Sequence, residues 1–138
     1  MNERSFFELE KQGLQIAGLC GSLSVTLPAG GSQMMADNLL LVAMELAAQL
    51  GQAARQPRKI AFIILEQALC TCTRLSRLLL HLDPYSTCRP LFLKLVQLSD
   101  ETERCILRCL QDITANGLVV TEANDLLMPG LLLATVTA

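Results

Sequence analysis

ELAAQLGQAARQPRKIAFIILEQAL, residues 45–69, is the stretch on which the fold turns. It runs apolar to Ala54, changes to Arg55-Gln56-Pro57-Arg58-Lys59, and then returns to Ile, Ala, Phe and Leu. Proline suits the first turn of a helix, where its missing N–H would have no intrahelical partner. Pro57 therefore opens a new helix rather than interrupting an old one. A connection this short makes the flanking helices antiparallel neighbours.

Outward from that turn, the second helix begins at a Ser32 cap and ends near Ala54. Its polar residues Asn38, Glu45, Gln49, Gln52 and Gln56 form one narrow stripe. A helix apolar around the rest of its circumference must be buried on several sides. A single bundle does not bury that much, so a further partner surface is expected. The third helix reaches about Leu82, where DPYS stops it, with Lys59, Glu66, Gln67, Arg74, Arg77 and His81 as its polar stripe. Ser86 or Thr87 caps the fourth, Pro90 sits in its first turn, and Asn116-Gly117 ends it after Ala115. Gln97, Glu101, Arg104, Arg108 and Gln111 face solvent along it.

The first helix opens on a Ser5/Glu8 capping box. Phe6, Phe7, Leu9, Leu14, Ile16, Ala17 and Leu19 make its apolar face, and CGSLSVTLPAGGS (20–32) breaks it. The alternation that marks strands is rare. The expected fold is all-α: an antiparallel four-helix bundle over 1–117, assembled into a homo-oligomer, with an apolar tail over 118–138.

The 138 residues suit one domain with a real core. Hydrophobic residues make up 51% and the net charge is −2, so the apolar surplus is assigned to subunit contacts. Residues 12–36, the longest uncharged stretch, carry a proline, three serines and five glycines and do not read as a membrane span. MNERSFFELEK at the start carries acids and lacks a signal-peptide core. The expectation is a cytoplasmic protein with reduced cysteines and no membrane contact. The acidic balance gives no global case for nucleic acid. Without Trp and with one Tyr, base-stacking platforms are scarce.

Chemistry-bearing constellations are thin. Cys70 and Cys72 are two apart on a helix, so they point about 200° apart and cannot share an ion or a disulfide. Cys105 and Cys109, four apart, share a face and form a legitimate zinc half-site, but their phase with Ile106 and Leu110 reads as core packing. His81 suits a helix C-terminus. Asp100, Glu101 and Glu103 read as solvated charges balanced by Arg104 and Arg108. Gly30-Gly31 has no lysine nearby to complete a phosphate cradle. No enzyme activity, metal, cofactor or small-molecule substrate is expected. The basic residues show local order: Arg55, Arg58 and Lys59 cluster at the turn, and Arg74 and Arg77 lie farther along the third helix. Such charges at a bundle end suit phosphate contact.

Three stretches carry a resemblance: FFELEKQGLQIA (6–17), TLP (26–28) ahead of Ser32-Gln33, and residues 45–69 with Gly51, Arg55, Arg58, Lys59 and Phe62. Their order resembles the small four-helix bundle proteins encoded in 23S rRNA intervening sequences. Relatives of those proteins are the accessory variability determinant (Avd) proteins of diversity-generating retroelements. The chain departs from that pattern at Met34, Met35 and Ala36, where the family often carries arginines. The resemblance implies a ring-like homo-oligomer, commonly a pentamer. It also implies an accessory role beside a reverse transcriptase and its template RNA. Arg55, Arg58, Lys59, Arg74 and Arg77 are the expected contacts. A second reading is a protein–protein adaptor or secretion-type chaperone that holds a partner helix in apolar grooves. A third is a thiol or zinc protein built on Cys105 and Cys109.

Overall fold

The computed structural model describes residues 3–26, 31–82 and 89–115. They form four helices and no strand: α1 (Glu3–Thr26), α2 (Gly31–Ala54), α3 (Arg58–His81) and α4 (Arg89–Ala115). Each helix packs on two others, α1 on α2 and α4, and α3 on α2 and α4. The result is an all-α four-helix bundle around one core.

That core is drawn from the inner seam of every helix. On α1 it is Leu9, Ile16, Cys20 and Leu23; on α2 it is Ala36, Leu39, Ala43, Leu46, Leu50 and Ala53. Spacings of three and four keep such residues on one side of a helix turning 3.6 residues per turn. Leu65, Cys72, Leu75 and Leu79 answer from α3, and Leu95, Ile106, Cys109 and Ile113 from α4. The hydroxyls of Thr71 and Thr102 are buried too, and each donates to the carbonyl four residues back, at Gln67 (3.1 Å) and Leu98 (2.8 Å).

The start of α1 meets the end of α2, where Arg55 pairs with Glu10 at 3.0 Å. The end of α1 meets the start of α2, where Ser24 donates to Asp37 at 2.7 Å. Between these points the two backbones approach closely at Gly13. A Cβ there would stand 3.0 Å from both Ala47 Cα and Leu50 Cδ1.

Four expectations need correction. Helix α1 continues through Gly21 to Thr26, because Cys20 and Leu23 extend the inner seam while Gly18 and Gly21 lie off it. Ser5 lies inside α1 rather than at its cap, since the helix already begins at Glu3. Pro57 is the N-cap of α3 (φ −59°, ψ 156°) and not its first helical residue; its carbonyl accepts from Ile60 (3.0 Å) and Ala61 (2.8 Å). Phe7 and Leu14, read as part of the core face of α1, are exposed. Pro90 does sit in the first turn of α4. The caps assigned to Ser86 or Thr87, the Ser32 side chain, the Asn116-Gly117 stop and the tail 118–138 lie outside the described residues.

Among the described residues one helical stretch, Gln33–Ala54, is long and apolar enough to cross a membrane by length and composition. In the bundle its inner seam is the core contribution of α2, and Glu45 on it pairs with Arg74 of α3.

Candidate nucleic-acid or partner interface

The basic residues fall at two stations along α3. Arg55 stands at the end of α2, with Arg58 and Lys59 just across the turn. Arg74 lies sixteen residues beyond Arg58, about 24 Å along the axis at 1.5 Å per residue. The fold therefore does not bring the five together.

At the first station, Arg55 folds back over its own helix. Its Nη1 donates to the Gly51 carbonyl at 2.5 Å and its Nη2 to Glu10 Oε2 at 3.0 Å. A cation on the last carbonyls of a helix is favourable, since those acceptors lack intrahelical partners. Gly51 makes room for the arrangement: a Cβ there would stand 3.1 Å from Arg55 Nη1 and 3.2 Å from Glu10 Oε2. Phe6, Phe7, Glu10, Ala54 and Arg55 line a shallow cleft at this end. Arg58 is half-buried and Lys59 exposed, and each has an interaction of its own.

At the second station, Arg74 Nη2 reaches both oxygens of Glu45 on α2, at 3.0 and 3.1 Å. Both side chains are about half exposed, so water screens the pair. Arg77 is exposed, as is His81 one turn later. Lys59 and Arg77 are eighteen residues apart, five full turns, and so occupy the same outer side of α3. Arg55 and Arg74 pair with acids. Lys59 and Arg77 are exposed on the outer side of α3, with Cys70 exposed between them.

The thiols sort by burial. Cys70 is exposed and Cys72 buried, the opposite orientations that their spacing requires. The Cys72 thiol lies 3.6 Å from the Ser99 carbonyl and 4.0 Å from its hydroxyl, and Ser99 in turn contacts Ser76 at 3.1 Å. Burial pushes the Cys20 thiol up to about 12. It pushes Cys72 up to about 11, against a Ser99 hydrogen bond that lowers it and with Glu103 and Asp100 adding to the rise. Cys109 also rises to about 11, chiefly by burial. These three are neutral thiols at pH 7, poor nucleophiles and poor metal ligands. Among the described residues no three His, Cys, Asp or Glu side chains converge on a metal-sized site. Arg108 donates to Cys105 Sγ at 3.7 Å and Gln97 to Glu101 at 3.1 Å. The expected pairing of Arg104 and Arg108 with the acids a turn earlier does not form among the described residues.

Two further features lie away from the basic stations; the α2 part of the second is the further partner surface that its narrow polar stripe calls for, and the rest was not picked out from the sequence. One is a groove of about 410 Å³ between α3 and α4, walled by Leu79, Leu80, Phe92, Leu93 and Val96, with Ser76, Ser99 and Asp100 as its polar edge. The other is the outer side of α1 and α2, where Phe7, Leu14, Val25, Met34, Leu41 and Met44 are all exposed. Recurrence at seven, from Phe7 to Leu14 and from Met34 to Leu41, is the signal that could have found the second feature.

No protein-family model, no curated protein and no solved structure matches the chain.

Proposed function

We propose that the chain is a non-enzymatic, homo-oligomeric accessory protein, an antiparallel four-helix bundle that serves as a scaffold for a nucleic-acid-handling partner. The partner class that the sequence resemblance favours is a reverse transcriptase with its template RNA, as in a diversity-generating retroelement, and the assembly it favours is a ring. The observation that carries this reading is the row of exposed cations on the outer side of α3, Lys59 and Arg77, next to the turn that holds Arg55 and Arg58. Phosphate contacts of this kind set affinity and register without reading sequence. A cytoplasmic site of action follows from the same reading.

The test uses a short fluorescent single-stranded RNA and the whole chain. Charge reversal at Lys59→Glu and Arg77→Glu leaves the Arg55–Glu10 and Arg74–Glu45 pairs in place, and circular dichroism checks that the bundle stays folded. Two lost phosphate contacts should weaken RNA binding roughly tenfold or more at moderate salt and flatten its salt dependence. Unchanged binding, or a wild-type chain that ignores RNA at low salt, would sink direct nucleic-acid contact.

The groove between α3 and α4 favours a second reading, a protein–protein adaptor. Its leucine, phenylalanine and valine walls with a hydroxyl edge suit the apolar face of a partner helix. Under that reading the same RNA titration shows no binding by either form.

A further inference from the structure

Helices α1 and α2 each carry two seams. The inner seam of α1, Leu9-Gly13-Ile16-Cys20-Leu23, is buried. On the opposite side Phe7, Lys11, Leu14, Gly18, Gly21 and Val25 repeat the same alternation of four and three. Helix α2 does likewise: Met34, Asp37, Leu41, Met44 and Ala48 form an outer row, every member exposed. An a/d repeat is the pattern by which one helix inserts side chains between those of another. The bundle satisfies the inner repeats and leaves the outer ones without a partner.

Exposure on this face is large. Phe7 is 71% exposed, Leu14 61%, Val25 82% and Leu41 64%. With Met34 and Met44, and at roughly 100 Å² per side chain, the face offers on the order of 600 Å² of apolar surface, the upper end of what monomers leave open. Two such faces together bury roughly 1,200 Å², where specific stable interfaces begin.

We infer that this α1–α2 face is where one copy of the chain packs on another. The inference rests on the homo-oligomer part of the reading above and assigns it a surface. Three observations favour a second copy over another occupant. The face supplies both projections and hollows: Leu14 stands out, while a Cβ on Gly18 or Gly21 would meet nothing within 4 Å. Glycine inside a helix is unfavourable, and here no contact within the bundle requires it. Close approach of a neighbouring helix does require it. Second, the charged members of the two rows are Lys11 and Asp37, opposite in sign. They lie toward opposite ends of the face, since Arg55 and Glu10 mark one end and Ser24 and Asp37 the other. A copy turned end over end brings Lys11 of each toward Asp37 of the other, a two-fold contact that closes as a dimer, so the inference takes up the homo-oligomer and not the ring. Third, a membrane-surface helix needs basic residues flanking its apolar face. Here the cations are few: Lys11 within the two rows, Lys94 of α4 beside Gly18, and Arg55 paired to Glu10.

The experiment is native mass spectrometry of the full chain, with circular dichroism as the folding control. Two variants are compared with wild type: Leu14→Glu/Leu41→Glu, which puts charge on the face, and Gly18→Gln, which fills a hollow that is empty in the bundle and improves helix propensity. The expected result is an assembled wild type and two helical variants at least tenfold depleted in assembly. Assembly that persists in both helical variants overturns the face and leaves the homo-oligomer reading standing. A monomeric wild type overturns both. A wild-type chain that is monomeric and co-sediments with phosphatidylcholine–phosphatidylglycerol vesicles assigns the face to a membrane and overturns the inference as well.

Discussion

The two sides of this bundle share a spacing and differ in chemistry. The outer row of α1 and α2 reads Phe7, Lys11, Leu14, Gly18, Gly21 and Val25, then Met34, Asp37, Leu41, Met44 and Ala48. The outer row of α3 and α4 reads Lys59, Ile63, Cys70, Arg77 and His81, then Leu93, Gln97, Asp100, Arg104, Leu107 and Gln111. All four inner seams are buried, and they are apolar but for Thr71, Ser99 and Thr102. Water is a better neighbour for α3 and α4, whose exposed Ile60, Ile63, Leu80, Leu93 and Leu107 stand among charged side chains, than for α1 and α2. The fold needs the inner seams alone; the difference between the outer seams is what assigns the proposed contact between copies to α1 and α2.

The largest expected effect tests whether inner and outer seams differ as stated. Leu46 and Leu41 lie five residues apart on α2, the first fully buried and the second 64% exposed. Leu46→Ala should cost about 2–5 kcal/mol, the lost transfer energy plus the cavity left behind. Leu41→Ala should stay within about 0.5 kcal/mol when unfolding by urea is followed at concentrations too low for assembly. Equal losses at both positions under those conditions would mean that Leu41 is already covered within a single chain, and the contrast between the sides would fail.

The core was legible because burial follows a period that can be counted. Leu39, Leu46 and Leu50 recur at helical spacing, and Pro57 marks the break between two apolar runs. The outer rows were harder to read. Hydrophobicity says that a side chain needs cover without saying which element provides it, so Phe7 and Leu14 were grouped with Leu9 and Ile16. Glycine misled in the same place. Gly21 reads as part of a break, yet α1 runs through it, because Cys20 and Leu23 bury more than the glycine costs. The basic residues could be named but not their partners: Glu10 is 45 residues from Arg55 and Glu45 is 29 from Arg74, separations that only the packed helices close. Which cations remain outward is thus a tertiary result.

Alkaline pH should act on stability through the buried thiols of the inner seams. An unfolded cysteine ionises near 9.0, while folded Cys20 ionises near 12 and Cys72 and Cys109 near 11. Above pH 9 the unfolded chain releases protons that the folded chain keeps. The stability these thiols contribute is therefore complete below about pH 9 and is lost as pH climbs through 11 to 12. The loss is roughly 1.4 kcal/mol per pH unit for each thiol. Urea melts at pH 8 and pH 10 should show a fall that shrinks in Cys20→Ala. A fall of the same size in that variant would mean that the buried thiol of α1 does not drive it.

The smallest effect lies where the two sides join. Arg74 of the charged side reaches Glu45 of the apolar side, and the Coulomb gain between two half-exposed groups is mostly returned to water and to side-chain entropy. A double-mutant cycle with Arg74→Ala and Glu45→Ala should give a coupling of about 0.2–1 kcal/mol, and 1 M salt should remove most of it. Glu45 precedes the exposed Ala48 by one turn. If the pair also keeps this carboxylate away from the outer row of α2, Arg74→Ala lowers assembly of the chain more than its small effect on unfolding accounts for, whereas the Glu45→Ala variant does not. A coupling well above 1 kcal/mol would instead make the pair a structural tie between the sides, and equal assembly in both single variants would leave it a surface contact with no bearing on the face.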